Sequence, residues 1–210
     1  YNKQKENFMI FSEENFLNDN LFDILSKKST QLYQMSKLED TAMDIVRDDI
    51  DPDRGIYDKN VSHQRAMRFR FYCNGDDVME ETINFFGPDV GKILFQVKDY
   101  MFDKGWENIK LSNVWFQYGD SETQMHRHSD GTIHNATDEN CFTSMIFTHP
   151  QWDNDWGGIF NVESMDGTET TIQNPDPNSF IIWNRHHPHW MTPIVKDCPT
   201  RMFMGMSWYQ

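Results

Sequence analysis

The chain has 210 residues, enough to bury a core as one domain. Apolar residues make up 38% and aromatics 14%, with seven Trp, seven Tyr and sixteen Phe, which excludes a disordered chain. Lys+Arg 19 against Asp+Glu 33 leaves a formal net charge of −14, which argues against a broad basic face for nucleic acid and either favours a cationic partner or simply keeps the protein soluble.

No apolar run approaches the length of a membrane span, and no charged-then-apolar leader opens the chain. Cys73, Cys141 and Cys198 are too few and too scattered for a disulfide framework, and no CxxC marks a structural zinc site. A reduced, intracellular (cytoplasmic) and soluble setting, with no membrane and no nucleic acid as partners, is the expectation.

In chain order, Phe16, Leu17, Leu21, Ile24 and Leu25 recur at helical spacing, and Leu32, Met35 and Leu38 continue it less regularly. Asp51-Pro52-Asp53-Arg54-Gly55 reads as a turn. Between Ala66 and Tyr72, Met67, Phe69 and Phe71 alternate with Arg68 and Arg70, as in a strand. Pro88 to Lys104 returns to a helix with Val90, Ile93, Leu94, Val97 and Met101 on one face. After Gly105 short β-like segments follow at roughly 109–118, 126–134, 141–148, 158–164, 168–173, 179–184, 189–195 and 201–209. Strands without intervening helices predict an antiparallel barrel or jelly roll. The expectation is one domain, 1–210: a helical and β support region at 1–108 and a β core at 109–210.

Three polar features interrupt this β half. His128 and Asp130 are two residues apart, so on a strand they share one face and reach a common point. His189 follows in Pro188-His189-Trp190-Met191-Thr192-Pro193, and Arg201 opens the mostly apolar segment that runs to Trp208. Two imidazoles and a carboxylate are the facial ligand set of non-haem Fe(II) oxygenases, leaving half of an octahedral site open. A buried guanidinium needs an anion, and its planar fork suits a carboxylate. Rival histidines are weaker ligands on spacing. His126 has no carboxylate at i+2, His134 lies further along, and His149 precedes Pro150 as a turn residue, while His186 and His187 are set aside only by a resemblance to a known family, in which a proline follows the ligand four residues on, as Pro193 follows His189. A surface His–Asp pair is the ordinary reading of His128 and Asp130 taken alone, and a salt bridge that of Arg201. The ordered set displaces both.

HxD, then His, then Arg on the last strand resembles the Fe(II)/2-oxoglutarate-dependent oxygenases. The finer text is similar to their prolyl 4-hydroxylase branch: Tyr118-Gly119, Trp152 ahead of Trp156-Gly157-Gly158, Ile181-Ile182-Trp183, Pro188-His189 with Pro193, Arg201, and Trp208-Tyr209. The resemblance covers residues 109–210. It implies a mostly β fold with flanking α, a double-stranded β-helix (jelly-roll) core with N-terminal helices packed on it. It implies that His128, Asp130 and His189 bind Fe(II) and that Arg201 pairs with the distal carboxylate of 2-oxoglutarate. Tyr118 would add a hydroxyl hydrogen bond to that carboxylate, or else be a buried aromatic with a satisfied hydroxyl. O₂ is the second cosubstrate, and ascorbate is a further cofactor that the resemblance allows. The implied reaction is hydroxylation of an unactivated C–H in a prolyl residue of a peptide or protein substrate. The alternatives are the same chemistry on a free amino acid and a non-catalytic metal-binding module. Two departures stand out: Lys196-Asp197-Cys198-Pro199 lengthens the turn before Arg201, and Phe147 stands where relatives carry a second tyrosine.

Overall fold

The computed structural model describes residues 10–38, 63–71, 78–131, 133, 137, 140–195 and 197–210. The turn expected at 51–55, Cys73 and His134 lie outside the described residues. In chain order the elements are β1 (Ile10–Glu13), α1 (Asp19–Leu38), β2 (His63–Phe71), α2 (Val78–Phe86), α3 (Pro88–Asp103), β3 (Lys110–His128), β4 (Cys141–Phe147), β5 (Phe160–Glu163), β6 (Thr170–Gln173), β7 (Phe180–Asn184), β8 (His189–Met191) and β9 (Arg201–Tyr209). No helix among the described residues is long and apolar enough to cross a membrane.

Two helices start at residues suited to a first turn. Asn18 Oδ1 accepts from the Leu21 N–H at 3.0 Å, capping α1. Pro88 occupies the first turn of α3, where its missing N–H costs nothing. Val90, Ile93, Leu94, Val97 and Met101 are buried as expected, whereas Met35 is exposed and ends the apolar face of α1 early. Two elements had no clear periodic signal: α2, and β1, whose four residues pair with β7.

All strand pairings are antiparallel, in the order β1-β7-β4-β9-β3-β8-β5-β6, with β2 beside β3. The core is the double-stranded β-helix expected of the sequence. Its key element is β3, where two strands had been expected. Residues 110–119 pair with β9, and residues 125–128 pair with β8, so one strand serves both halves of the sheet.

Side-chain alternation then sorts the interior into two layers. Val114, Phe116, Tyr118, Phe142, Ile146, Phe180, Ile182, Met202, Met204, Met206 and Trp208 pack against the helices. Trp115, Met145, Phe147, Ile181, Trp183 and Phe203 face the other way, against Phe160 and Val162 of β5. This second cluster fills the inside of the jelly roll, and the polar groups of the next section border it.

Candidate metal centre

His128 and His189 are directly opposite each other on β3 and β8, with ring centroids 4.4 Å apart. A bulge between Met125 and His128 brings them there. Without the extra residue, position 127 would face His189; with it, the imidazole of His128 does. Each ring is oriented by its own backbone: Nδ1 of His128 donates to the carbonyl of His126 at 2.7 Å, and Nδ1 of His189 to that of His187 at 2.9 Å. A carbonyl only accepts, so each ring carries a proton on Nδ1 and turns Nε2 inward. Asp130 Oδ1 is 3.8 Å from Nε2 of His128, and Oδ2 is 3.9 Å from Nε2 of His189. One ligand atom from each of the three residues lies within 4.8 Å of the others, a donor set that fits a divalent ion such as Fe(II).

His189 is buried, its ring edging Trp183 at 5.4 Å and Phe160 at 5.7 Å. Burial pushes its pKa down to about 4, with Asp130 pulling back upward, so it is neutral and ligand-ready at pH 7.

Asp130 departs from expectation in one respect. β3 ends at His128, so strand pleating does not place the carboxylate. Instead the Asp130 N–H donates to the carbonyl of Arg185 at 2.9 Å, tying it to the segment that leads from β7 to β8.

Arg201 lies on the same inner cluster as His189. It is 3% exposed, and its guanidinium carbon sits 4.7 Å from the Phe147 ring centroid and 5.2 Å from that of Phe203. Its Nε and Nη2 have no hydrogen-bond partner among the described residues. Burial draws its pKa down to about 9, which leaves it charged at neutral pH. A cation stacked on rings with orphaned donors fits an anion, and a carboxylate matches its fork. Gly158 makes room for it: at φ +68, a Cβ there would lie 2.9 Å from Arg201 Cδ.

Tyr118 does not reach this region. Strand register places Gly119 opposite Arg201 and Tyr118 opposite Met202, so Tyr118 shares the helix-facing side. Its hydroxyl donates to the carbonyl of Ser29 at 3.0 Å, and its ring packs on Tyr33. It is the buried, satisfied aromatic of the two readings, and the inward residue beside it is Gln117.

Among rival histidines, His126 is exposed and only its carbonyl serves the site. His187 is held by the carbonyl of Glu163, and His186 lies outside the ligand group. His149 is not a plain turn residue. It is buried beside Arg201, with Nδ1 accepting from the Met202 N–H at 3.1 Å and Nε2 donating to Pro175 O at 2.6 Å. Trp190 is partly exposed, on the side of β8 opposite His189, as strand parity predicts. Arg185, Gly158 and His149 were not recognisable as site residues, because each contributes through contacts distant in sequence.

Residues 114–210 match the family model of the 2OG-Fe(II) oxygenase superfamily, which implies Fe(II), 2-oxoglutarate and O₂. No curated protein matches the chain in sequence. Among solved structures, a prolyl hydroxylase from Trichoplax adhaerens in complex with a hypoxia inducible factor oxygen degradation domain peptide fragment superposes with TM-score 0.66 at 14% identity, covering 95% of this chain and 83% of that one. The viral collagen prolyl hydroxylase of Paramecium Bursaria Chlorella virus-1, solved as its 2OG complex, gives 0.59 at 12%, covering 95% and 94%. A Pseudomonas putida prolyl-4-hydroxylase gives 0.58 at 12%, covering 96% and 91%. At these identities the likeness is one of fold.

Proposed function

Residues 114–210 belonging to the 2OG-Fe(II) oxygenase superfamily, we propose that this protein is a dioxygenase that hydroxylates a prolyl residue in a peptide or protein. The observation that carries the proposal is the pairing of two unlike features on one inner cluster. His128, Asp130 and His189 converge within 4.8 Å, and Arg201 holds orphaned donors on Phe147 and Phe203. In this reading residues 1–108 are a helical and β support region and 109–210 the jelly-roll catalytic core.

When bound, Fe(II) with 2-oxoglutarate and O₂ supplies the oxidising power for C–H hydroxylation, the cosubstrate leaving as succinate and CO₂. The chain supplies placement. The two imidazoles present inward lone pairs fixed by backbone carbonyls, and Asp130 adds the anionic ligand. Arg201 seats the distal carboxylate of the cosubstrate, and the rings beneath it keep water from the charge it holds. Phe160 and Trp183 shield the other side of His189. The net charge of −14 favours a basic peptide over a free amino acid, which offers less charge and fewer contacts.

The test is turnover with Fe(II) and 2-oxoglutarate on basic proline-containing peptides and on free proline, read by mass spectrometry. The expected result is a mass gain of one oxygen on a prolyl residue, coupled to succinate formation. Oxygen gain on free proline alone would replace the peptide by a small molecule. Metal binding without succinate under any condition would leave a non-catalytic module and overturn the proposal.

A further inference from the structure

We infer that Arg185 is a positioning residue for Asp130, a role that rests on the metal-centre reading above. Asp130 is the one member of the cluster outside a strand, since β3 ends at His128 and β8 begins at His189. Some other element must hold it, and residue 185 contacts it from both main chain and side chain. The carbonyl of Arg185 accepts the Asp130 N–H at 2.9 Å, while the Arg185 N–H donates to the carbonyl of Cys141 at the start of β4. Its Nε donates to the carbonyl of Gly131 at 3.0 Å, fixing the residue that follows Asp130. Nη1 donates to Ser207 Oγ at 2.7 Å, anchoring the guanidinium to β9. Nη2 is then 3.8 Å from Asp130 Oδ2, the oxygen that also faces Nε2 of His189.

The planar fork is what this task needs. Three nitrogens point in three set directions at once, toward Gly131, Ser207 and Asp130, which an ammonium on a flexible stem does not reproduce. The tethers of the guanidinium limit the directions in which that carboxylate can turn. Side-chain exposures of 16% for Arg185 and 22% for Asp130 put the pair partly out of water, where charge is less screened. Outer groups that orient metal ligands contribute to affinity in this way without touching the ion.

The test is Mn(II) titration of the full chain, read by calorimetry, on wild type, Arg185→Gln, Arg185→Lys, Ser207→Ala and Asp130→Ala, with metal-free thermal unfolding of each. Arg185→Gln should weaken Mn(II) binding by about 10–100-fold, the range for lost outer-shell partners. Arg185→Lys should recover only part of it. Ser207→Ala, which removes the shortest of the tethers and leaves the charge, the Gly131 contact and a 3.5 Å contact of Nη1 with Thr143 Oγ1, should fall between wild type and Arg185→Gln, with its metal-free midpoint close to wild type. A purely structural role would lower the metal-free midpoint and leave the Mn(II) affinity of the folded protein unchanged, which overturns the assignment. If Arg185→Gln does not fold, Ser207→Ala decides alone, wild-type affinity overturning it. Binding by wild type that Asp130→Ala abolishes and Arg185→Gln leaves intact sinks the Arg185 role only. Absence of binding in wild type, or equal binding by Asp130→Ala, sinks the metal-centre reading with it.

Discussion

Arg201 is an unfavourable residue unless an anion pairs with it. Its guanidinium is buried on two phenylalanine rings, and two of its nitrogens lack partners among the described residues. Uncompensated buried charge destabilises a fold, and the carboxylate proposed to sit on Arg201 would offset that cost. Two consequences follow with opposite signs. Arg201→Gln should raise the KM for 2-oxoglutarate by roughly 10–100-fold, the equivalent of about 1.5–3 kcal/mol for lost hydrogen bonds to a charged group. The same substitution should leave metal-free thermal stability equal to wild type or higher. Steady-state kinetics at fixed peptide and a calorimetric melt check the pair. An unchanged KM would remove Arg201 from the cosubstrate site.

At the level of elements, β3 does most of the organising. Its first ten residues form the wall shared with β9, and its last four carry His128 to β8. Close contact along that wall depends on Gly205, which lies opposite Trp115. A Cβ at 205 would come within 2.2 Å of Trp115 Cε2, so the indole occupies the space a side chain would need. Gly205→Ala should therefore destabilise the protein by about 1–3 kcal/mol, the usual range for overpacking a tight core. Urea unfolding should show a lower midpoint with an unchanged m-value. A wild-type midpoint would mean that the wall has slack the geometry denies.

On the scale of the whole molecule, one sheet separates two cores, and buried histidines on its inner side couple folding to pH. His149 follows β4 and is buried with its ring held between Met202 of β9 and the Pro175 carbonyl, and burial first, with Arg201 adding to it, lowers its pKa to about 4. The unfolded chain binds a proton near pH 6.5 that the folded chain refuses until about pH 4. Stability from this group is therefore complete above pH 6.5 and is lost as pH falls toward 4, on the order of 3 kcal/mol in all. His187 is lowered chiefly by burial and tilts the same way. Unfolding free energy measured by urea from pH 7 to pH 4 should decline, and His149→Gln should decline less steeply from a lower start. Equal slopes would remove His149 as a source of the pH dependence.

The sequence by itself determined the periodicities and the order of the polar landmarks. Residues whose environment is local, such as the apolar face of α3 and the alternation of Met67, Phe69 and Phe71 with Arg68 and Arg70 in β2, were readable because a helix turn or a pleat repeats over neighbouring positions. His128, His189 and Arg201 were readable because charged and ligating side chains are costly in a β core without a task. Tertiary structure alone decided the rest. Tyr118 faces the helices because of its register opposite Met202, and Asp130 is placed by Arg185 rather than by its own strand. The Gly158–Arg201 contact likewise joins residues far apart in the chain. Such features arise where strands meet, and strand pairing depends on packing across the whole sheet, which no local pattern of residues encodes.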